Sequence, residues 1–265
     1  MTSGNPPDRR VLPFPRARKL VIDACRYGKR KNTIRGLLSM DVTEPRRRIA
    51  ELEERTGERI SFTAFVIHCL AAAVAEDRTL HAYRDWRGRL VVFDDVDVNA
   101  IVEREVEGAK MGVVHLIRAA DRKGVKEIHA DLLAARARPV RTREHPFWRA
   151  YLALPGFVRG WIWRIAGRFP SVVKRAGGTV AITAVGMHAR GGGWGIGIGS
   201  HTLGLTLGGI ETRPRVVEDE IVVREMLDVT CAFDHDVIDG APAARFTRRL
   251  KERVERGDGL PEARR

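Results

Sequence analysis

Phe233-Asp234-His235-Asp236-Val237-Ile238-Asp239-Gly240, running on into Ala241-Pro242-Ala243-Ala244-Arg245-Phe246, joins an apolar, branched run to a helical pattern. Upstream, Ile221-Val222-Val223 and Leu227 to Phe233 read as strands. Asp239-Gly240 breaks the pattern, and Ala241 to Val254 reads as a helix. Pro242 suits its first turn and Asp239 is placed to cap its first amides. Such a strand exit is a place where an imidazole can be held rigidly at a cleft. Imidazole titrates at about 6.5 and a thiol at about 8.5, so a neutral ring beside a thiol takes its proton as the sulfur attacks. The plainer alternative is a His and an Asp that finish a strand-to-helix turn, since short motifs recur by chance.

A second stretch tips that balance. Gly178-Thr179-Val180-Ala181-Ile182-Thr183-Ala184-Val185-Gly186 lies upstream, followed by Leu207-Gly208-Gly209-Ile210 and then Arg213-Pro214. Farther back stand Pro15-Arg16-Ala17-Arg18-Lys19, Thr33-Ile34-Arg35-Gly36 and Met40-Asp41-Val42-Thr43. In this order the stretches resemble the catalytic domain of the 2-oxoacid dehydrogenase acyltransferases. Phe233 to Gly240 is similar to that family's Asp-His-Arg-Val-Val-Asp-Gly signature, whose His-x-x-x-Asp-Gly core the related chloramphenicol acetyltransferases share. Gly178 to Gly186 is similar to its Gly-Thr-Phe-Thr-Ile-Ser-Asn-Leu-Gly strand, and Leu207 to Ile210 followed by Arg213-Pro214 is similar to its next strand and that strand's exit.

The resemblance implies an α/β sandwich of chloramphenicol acetyltransferase type, a mixed central sheet covered by helices. It implies acyl transfer between coenzyme A and a thiol such as dihydrolipoamide, with coenzyme A as substrate. His235 would be the general base. Thr183, where the family has serine, would donate a hydrogen bond to the tetrahedral oxyanion. Asp239 would be mainly structural, pairing with an arginine near the amino terminus; Arg18 and Arg26 are the candidates. The family's active site lies between subunits, with base and oxyanion donor from different chains, so a homotrimer is implied.

Several features depart from the family pattern. Asp236 stands where arginine is usual and places a carboxylate beside the base. The chain shows no lipoyl domain, so a lipoyl group would come in trans, or the acceptor would be an amine or hydroxyl. The polar end, Gly259 to Arg265, lacks the apolar terminus that joins trimers into cages, which favours a free trimer. Arg35 would either pair with a coenzyme A phosphate or plug the entrance. The reading from another functional class is a non-catalytic trimeric scaffold of the same fold.

The 265 residues suit one large domain. Residues 1–12 read as a disordered lead, 13–256 as the catalytic domain and 257–265 as a flexible tail. Cys25, Cys69 and Cys231 are scattered, with no paired spacing, which suggests reduced thiols in the cytoplasm. No metal-ligand spacing is evident, and no apolar run is long enough to span a bilayer. His68 and Cys69 fall inside an apolar helix, Ser61 to Glu76, as satisfied core residues. Thr43 is a candidate cap for a helix to Thr56, and Asp121 for one to Arg138. Gly191 to Gly199 lacks the context of a dinucleotide fingerprint and reads as a flexible hairpin.

Residues 145–175 form an insert rich in tryptophan and arginine, with Trp148, Trp161 and Trp163. Phe157, Val158, Trp161, Ile162 and Ile165 recur at helical spacing. The plain reading is a helix docked on the core or a neighbouring subunit; the sharper one is contact with an anionic membrane through 145–170. A lid over an acyl pocket is the third. The net charge of +13 is spread along the chain without a recognition motif, so no specific nucleic-acid partner is expected.

Overall fold

Apolar residues recur at every second position of the long strands, and the fold turns that set inward. The computed structural model describes residues 9–12, 14–106, 109–137, 146–186 and 191–262. Its main sheet is built from β1 (Thr33–Asp41), β4 (Val98–Val106), β5 (Ala109–Ile117), β6 (Val180–Ala184), β7 (Leu203–Val217) and β8 (Glu220–Asp234). The strand order is β1-β8-β7-β6-β4-β5, with β6 parallel to both neighbours and the other pairs antiparallel. The short β2 (Tyr83–Arg84) and β3 (Leu90–Val91) pair separately. Val98, Ala100, Val180, Ile182, Leu203, Leu205, Val229, Cys231 and Phe233 are buried on the inner side of the sheet.

The helices α2 (Thr43–Thr56), α3 (Phe62–Ala75), α4 (Val125–Ala137) and α8 (Gly240–Arg256) close this side. The α3 helix is apolar almost all round and lies at the centre. The α8 helix buries Ala243, Phe246, Leu250 and Val254, one stripe at helical spacing. Phe246 meets Phe233 edge-on with centroids 5.8 Å apart, and its truncation to alanine costs about 3–5 kcal/mol for such a buried ring. The result is the mixed α/β architecture expected, with a mixed sheet and its helices.

A second helical group comprises α1 (Arg18–Gly28), α5 (Pro146–Ala153), α6 (Gly156–Ala166) and α7 (Pro170–Gly177). Its hub is polar. Asp23, buried, accepts from Arg159 Nε at 2.8 Å and from the Tyr151 hydroxyl at 2.9 Å. Trp163 donates from Nε1 to the Tyr151 oxygen at 2.7 Å and packs on Tyr27.

Several local expectations are corrected. The β7 strand does not exit at Arg213-Pro214 but continues to Val217, and β8 is one strand from Glu220. Beyond Ala184, β6 no longer flanks β7, so proline's missing N–H can be placed there without loss of a ladder bond. Thr43 does not cap α2: its hydroxyl accepts from the Glu225 amide, while Asp41 accepts from the Thr43 amide. Asp121 accepts from the Val96 amide, and Glu127 instead reaches back to the Gly124 amide at the start of α4. Arg138 lies outside the described residues, as do 1–8 of the lead, His145 of the insert and 263–265. Residues 257–260, expected as tail, are packed: Leu260 joins the core and Arg48 holds the carbonyls of Arg256, Leu260 and Pro261.

The glycine-rich stretch forms no hairpin. It runs as an irregular strap along β1, β7 and β8. The Gly193 amide donates to Asp228, Trp194 Nε1 to the Leu38 carbonyl, and Arg35 to the Gly197 carbonyl. Asp228 also accepts from Ser39 and Arg213. Burial pushes its carboxyl up, but these hydrogen bonds outweigh burial and hold it below the ordinary range. Glycine is obligatory where backbones meet: a Cβ on Gly186 would strike the Gly208 carbonyl, and one on Gly208 the Gly193 carbonyl.

Two histidines brace the connections beneath the sheet. His81 takes Nδ1 to Thr179 and Nε2 to the Phe93 carbonyl; His201 takes Nδ1 to Ser200 and Nε2 to the Gly177 carbonyl. Burial lowers each from 6.5 to about 4. Between those values the unfolded chain binds a proton that the native protein refuses, so stability falls as pH drops through the window. Each histidine withdraws up to about 3 kcal/mol. Urea midpoints between pH 7 and pH 4.5 should therefore fall less steeply in His81→Gln and in His201→Gln than in the wild type.

Candidate active site

His235 sits immediately after β8, where the chain leaves the ladder. Three contacts from the segment before β1 fix that exit. Lys31 pairs with the buried Asp234 carboxylate, the His235 amide donates to the Asn32 carbonyl at 2.7 Å, and Asn32 Nδ2 donates to Asp236 at 2.8 Å. The Asp234 amide donates to the Thr202 carbonyl, and its own carbonyl accepts from the amides of Val237 and Ile238. The backbone is therefore locked on both sides of the histidine. Its imidazole remains 45% exposed.

Asp239 behaves differently from the expectation. It occupies the position before α8, but its side chain makes no capping hydrogen bond. The carboxylate is 84% exposed, with Oδ1 3.7 Å from His235 Nδ1. Within the chain neither Arg18 nor Arg26 pairs with it; the buried carboxylate near the amino terminus is Asp23, and its arginine is Arg159. Asp236 also turns away from the imidazole, towards Asn32 and, at 4.0 Å, Arg84.

Thr183 lies elsewhere, on the outer side of the sheet. It is in register with Ile101 of β4 and Thr206 of β7; Thr206 pairs with Thr230, which pairs with Leu37, while Ile101 pairs with Val114. One row thus crosses all six strands: three threonines at the centre, with Leu37, Ile101 and Val114 exposed at the flanks. The strap covers part of this row, Gly195 lying against Thr206 and Val185. From the Thr230 level to His235 is about 16 Å of strand, and two strand spacings add about 10 Å, so Thr183 and His235 stand about 19 Å apart. The chain brings His235 and Asp239 together. It does not bring Thr183 to them.

Sequence reasoning missed the clamp of Lys31 and Asn32. The signal was the charged Asp234 ending an apolar strand, which demands a buried partner. Nothing in local sequence identifies Lys31 as that partner, because the pairing is long-range. Among the described residues no group of histidine, cysteine and carboxylate side chains is placed to hold a metal ion.

Residues 172–260 match the sequence model of the 2-oxoacid dehydrogenases acyltransferase catalytic domain. A stretch of 56 residues is 43% identical to the dihydrolipoyllysine-residue acetyltransferase component of the pyruvate dehydrogenase complex of Zymomonas mobilis, covering 21% of this chain and 13% of that protein. A probable dihydrolipoamide acetyltransferase of Listeria monocytogenes superposes with a TM-score of 0.71 at 19% identity, covering 97% of this chain and 98% of that one. The cubic core of a pyruvate dehydrogenase multienzyme complex gives 0.71 at 18% identity, over 96% and 97%. At these identities the superpositions establish the fold, and the sequence match covers the segment that carries Thr183 and His235. This chain resembles, in motif over residues 172–260 and in fold throughout, the catalytic domain of the 2-oxoacid dehydrogenase acyltransferases.

Proposed function

We propose that the protein is an acyltransferase that moves an acyl group between coenzyme A and a thiol such as dihydrolipoamide. The observation that carries this reading is the half-exposed imidazole of His235 on a backbone locked by Asn32 and the Lys31–Asp234 pair. Such rigidity suits a general base, which must meet the proton of its substrate at hydrogen-bond distance. His235 takes the proton of the attacking thiol. The thiolate adds to the carbonyl carbon of the acyl thioester, giving a tetrahedral oxyanion. Collapse expels the second thiolate, which recovers the proton from His235. Asp239 stands beside the ring, with Oδ1 3.7 Å from Nδ1.

Thr183 supplies the hydrogen bond to the oxyanion, an effect of about 3 kcal/mol in comparable sites. Its distance from His235 within one chain requires that the two come from different subunits. The exposed Leu37, Ile101 and Val114 flanking the threonine row support a neighbouring subunit against that side. A homotrimer with three equivalent sites between chains meets the requirement. A lipoyl group reaches the site from a separate domain or protein.

Acyl exchange from acyl-coenzyme A donors to dihydrolipoamide tests the reading. His235→Ala should lower turnover by about a hundredfold to ten-thousandfold. Thr183→Ala should lower kcat by about a hundredfold or more, with Thr183→Ser close to wild type. Absence of turnover by the folded, assembled wild type would favour an amine or hydroxyl acceptor or a non-catalytic scaffold.

Site sharing has its own test. Co-assembled His235→Ala and Thr183→Ala chains should regain up to about a quarter of wild-type activity, since random assembly juxtaposes one intact His235 with one intact Thr183 in that share of sites. No recovery from mixed assemblies would place both groups of each site in one chain.

A further inference from the structure

Between Glu144 and Glu211 the sequence contains no carboxylate, while Arg149, Arg159, Arg164, Arg168, Lys174 and Arg175 all fall on or beside α5–α7. The α1 helix packs against α6, and the segment from Arg9 to Ile22 that leads into it also carries basic residues and no acid. The acid that follows is Asp23, which is buried and engaged by Arg159. Of these basic side chains, Arg159 is thereby neutralised inside.

The α6 helix divides cleanly. Arg159 and Trp163 face inward onto Asp23, Tyr151 and Tyr27. Its opposite side leaves Phe157 73%, Trp161 62% and Ile165 53% exposed, with the exposed Arg164 on the same arc. Arg168 and Phe169 follow at its end, also exposed. The turn between β2 and β3 extends the surface there, because the Trp86 amide donates to the Arg168 carbonyl. Trp86 is itself 58% exposed and lies under the Arg87 guanidinium at 4.6 Å. Large aromatic side chains left in water amid unopposed arginines need an occupant that is both apolar and anionic.

We propose that the α6 face, with the Trp86 turn, docks on the surface of an anionic lipid bilayer. Phe157, Trp161 and Ile165 enter the boundary between headgroups and acyl chains, and Arg164 and Arg168 meet the headgroup phosphates. The helix lies in the plane of the surface; no described helix is long and apolar enough to cross a membrane. A second copy presenting the same face is disfavoured: α5–α7 carries no carboxylate, and the one in the Trp86 turn, Asp85, is paired with Arg89, so two such cationic surfaces repel. The docking does not depend on the proposed acyl transfer. Trp163 takes no part, since its ring is turned inward.

The test is co-sedimentation of the full chain with vesicles of equimolar phosphatidylglycerol and phosphatidylcholine, beside vesicles of phosphatidylcholine alone. The wild type should sediment with the first and much less with the second. Arg164→Gln and Arg168→Gln should each weaken binding about fivefold. Phe157→Ser with Trp161→Ser should weaken it at least about tenfold. These side chains are exposed, so melting temperature and assembly state should stay unchanged. Wild-type binding that ignores vesicle charge, no binding at all, or full binding by the Phe157→Ser/Trp161→Ser variant would overturn the proposal. So would a changed assembly state in that variant, which would make the face a subunit interface.

Discussion

The buried ion pair between Lys31 and Asp234 is the constraint on which the candidate site depends. Asp234 ends the long strand β8, beside the edge strand β1, where the sheet meets the loop before β1, and its carboxylate is nearly sealed from water. Such a charge survives only with a partner, and removal of one partner typically costs about 3–5 kcal/mol. Lys31 must therefore stay beside it, which brings Asn32 to the His235 amide and to Asp236. The strand register from Thr33↔Asp234 to Asp41↔Met226 follows from the same end. The position of the imidazole is thus set by electrostatics one residue away from it.

The sheet has two sides with different duties. The inner one is packed with Val, Ile, Leu and Phe and excludes water. The outer one carries the threonine row, a glycine strap and exposed apolar flanks. His235 belongs to an end of the sheet and Thr183 to its outer side. On the proposed mechanism, chemistry that needs both is assembled from more than one chain.

Much of this was legible in the sequence. An apolar, branched run marked Leu227 to Phe233 as a strand, the family resemblance marked Gly178 to Gly186 as another, and the pattern from Ala241 to Val254 marked α8. Both motif residues, His235 and Thr183, could be named because they sit in quotable stretches. Partners separated by long runs of chain were not legible. Lys31 for Asp234, Arg159 for Asp23 and Arg213 for Asp228 are pairings between distant segments, and any nearby arginine would have looked as suitable. The caps failed for a related reason: Thr43 and Asp121 have good capping side chains, but tertiary neighbours claim them. Pro214 read as a stop because its tolerance depends on where a neighbouring strand ends.

The glycine strap has a consequence for variation in this chain. At Gly186, Gly208, Gly209 and the Gly191–Gly193 carbonyls, backbone touches backbone with no room for one added carbon. The sequence here is constrained by what is missing. Alanine, usually the mildest of replacements, would be among the harshest at these positions, while bulky changes on the exposed loops pass. A mutational scan would find intolerance at glycines, which bury no side chain at all, and a map of tolerance based on hydrophobicity would miss it.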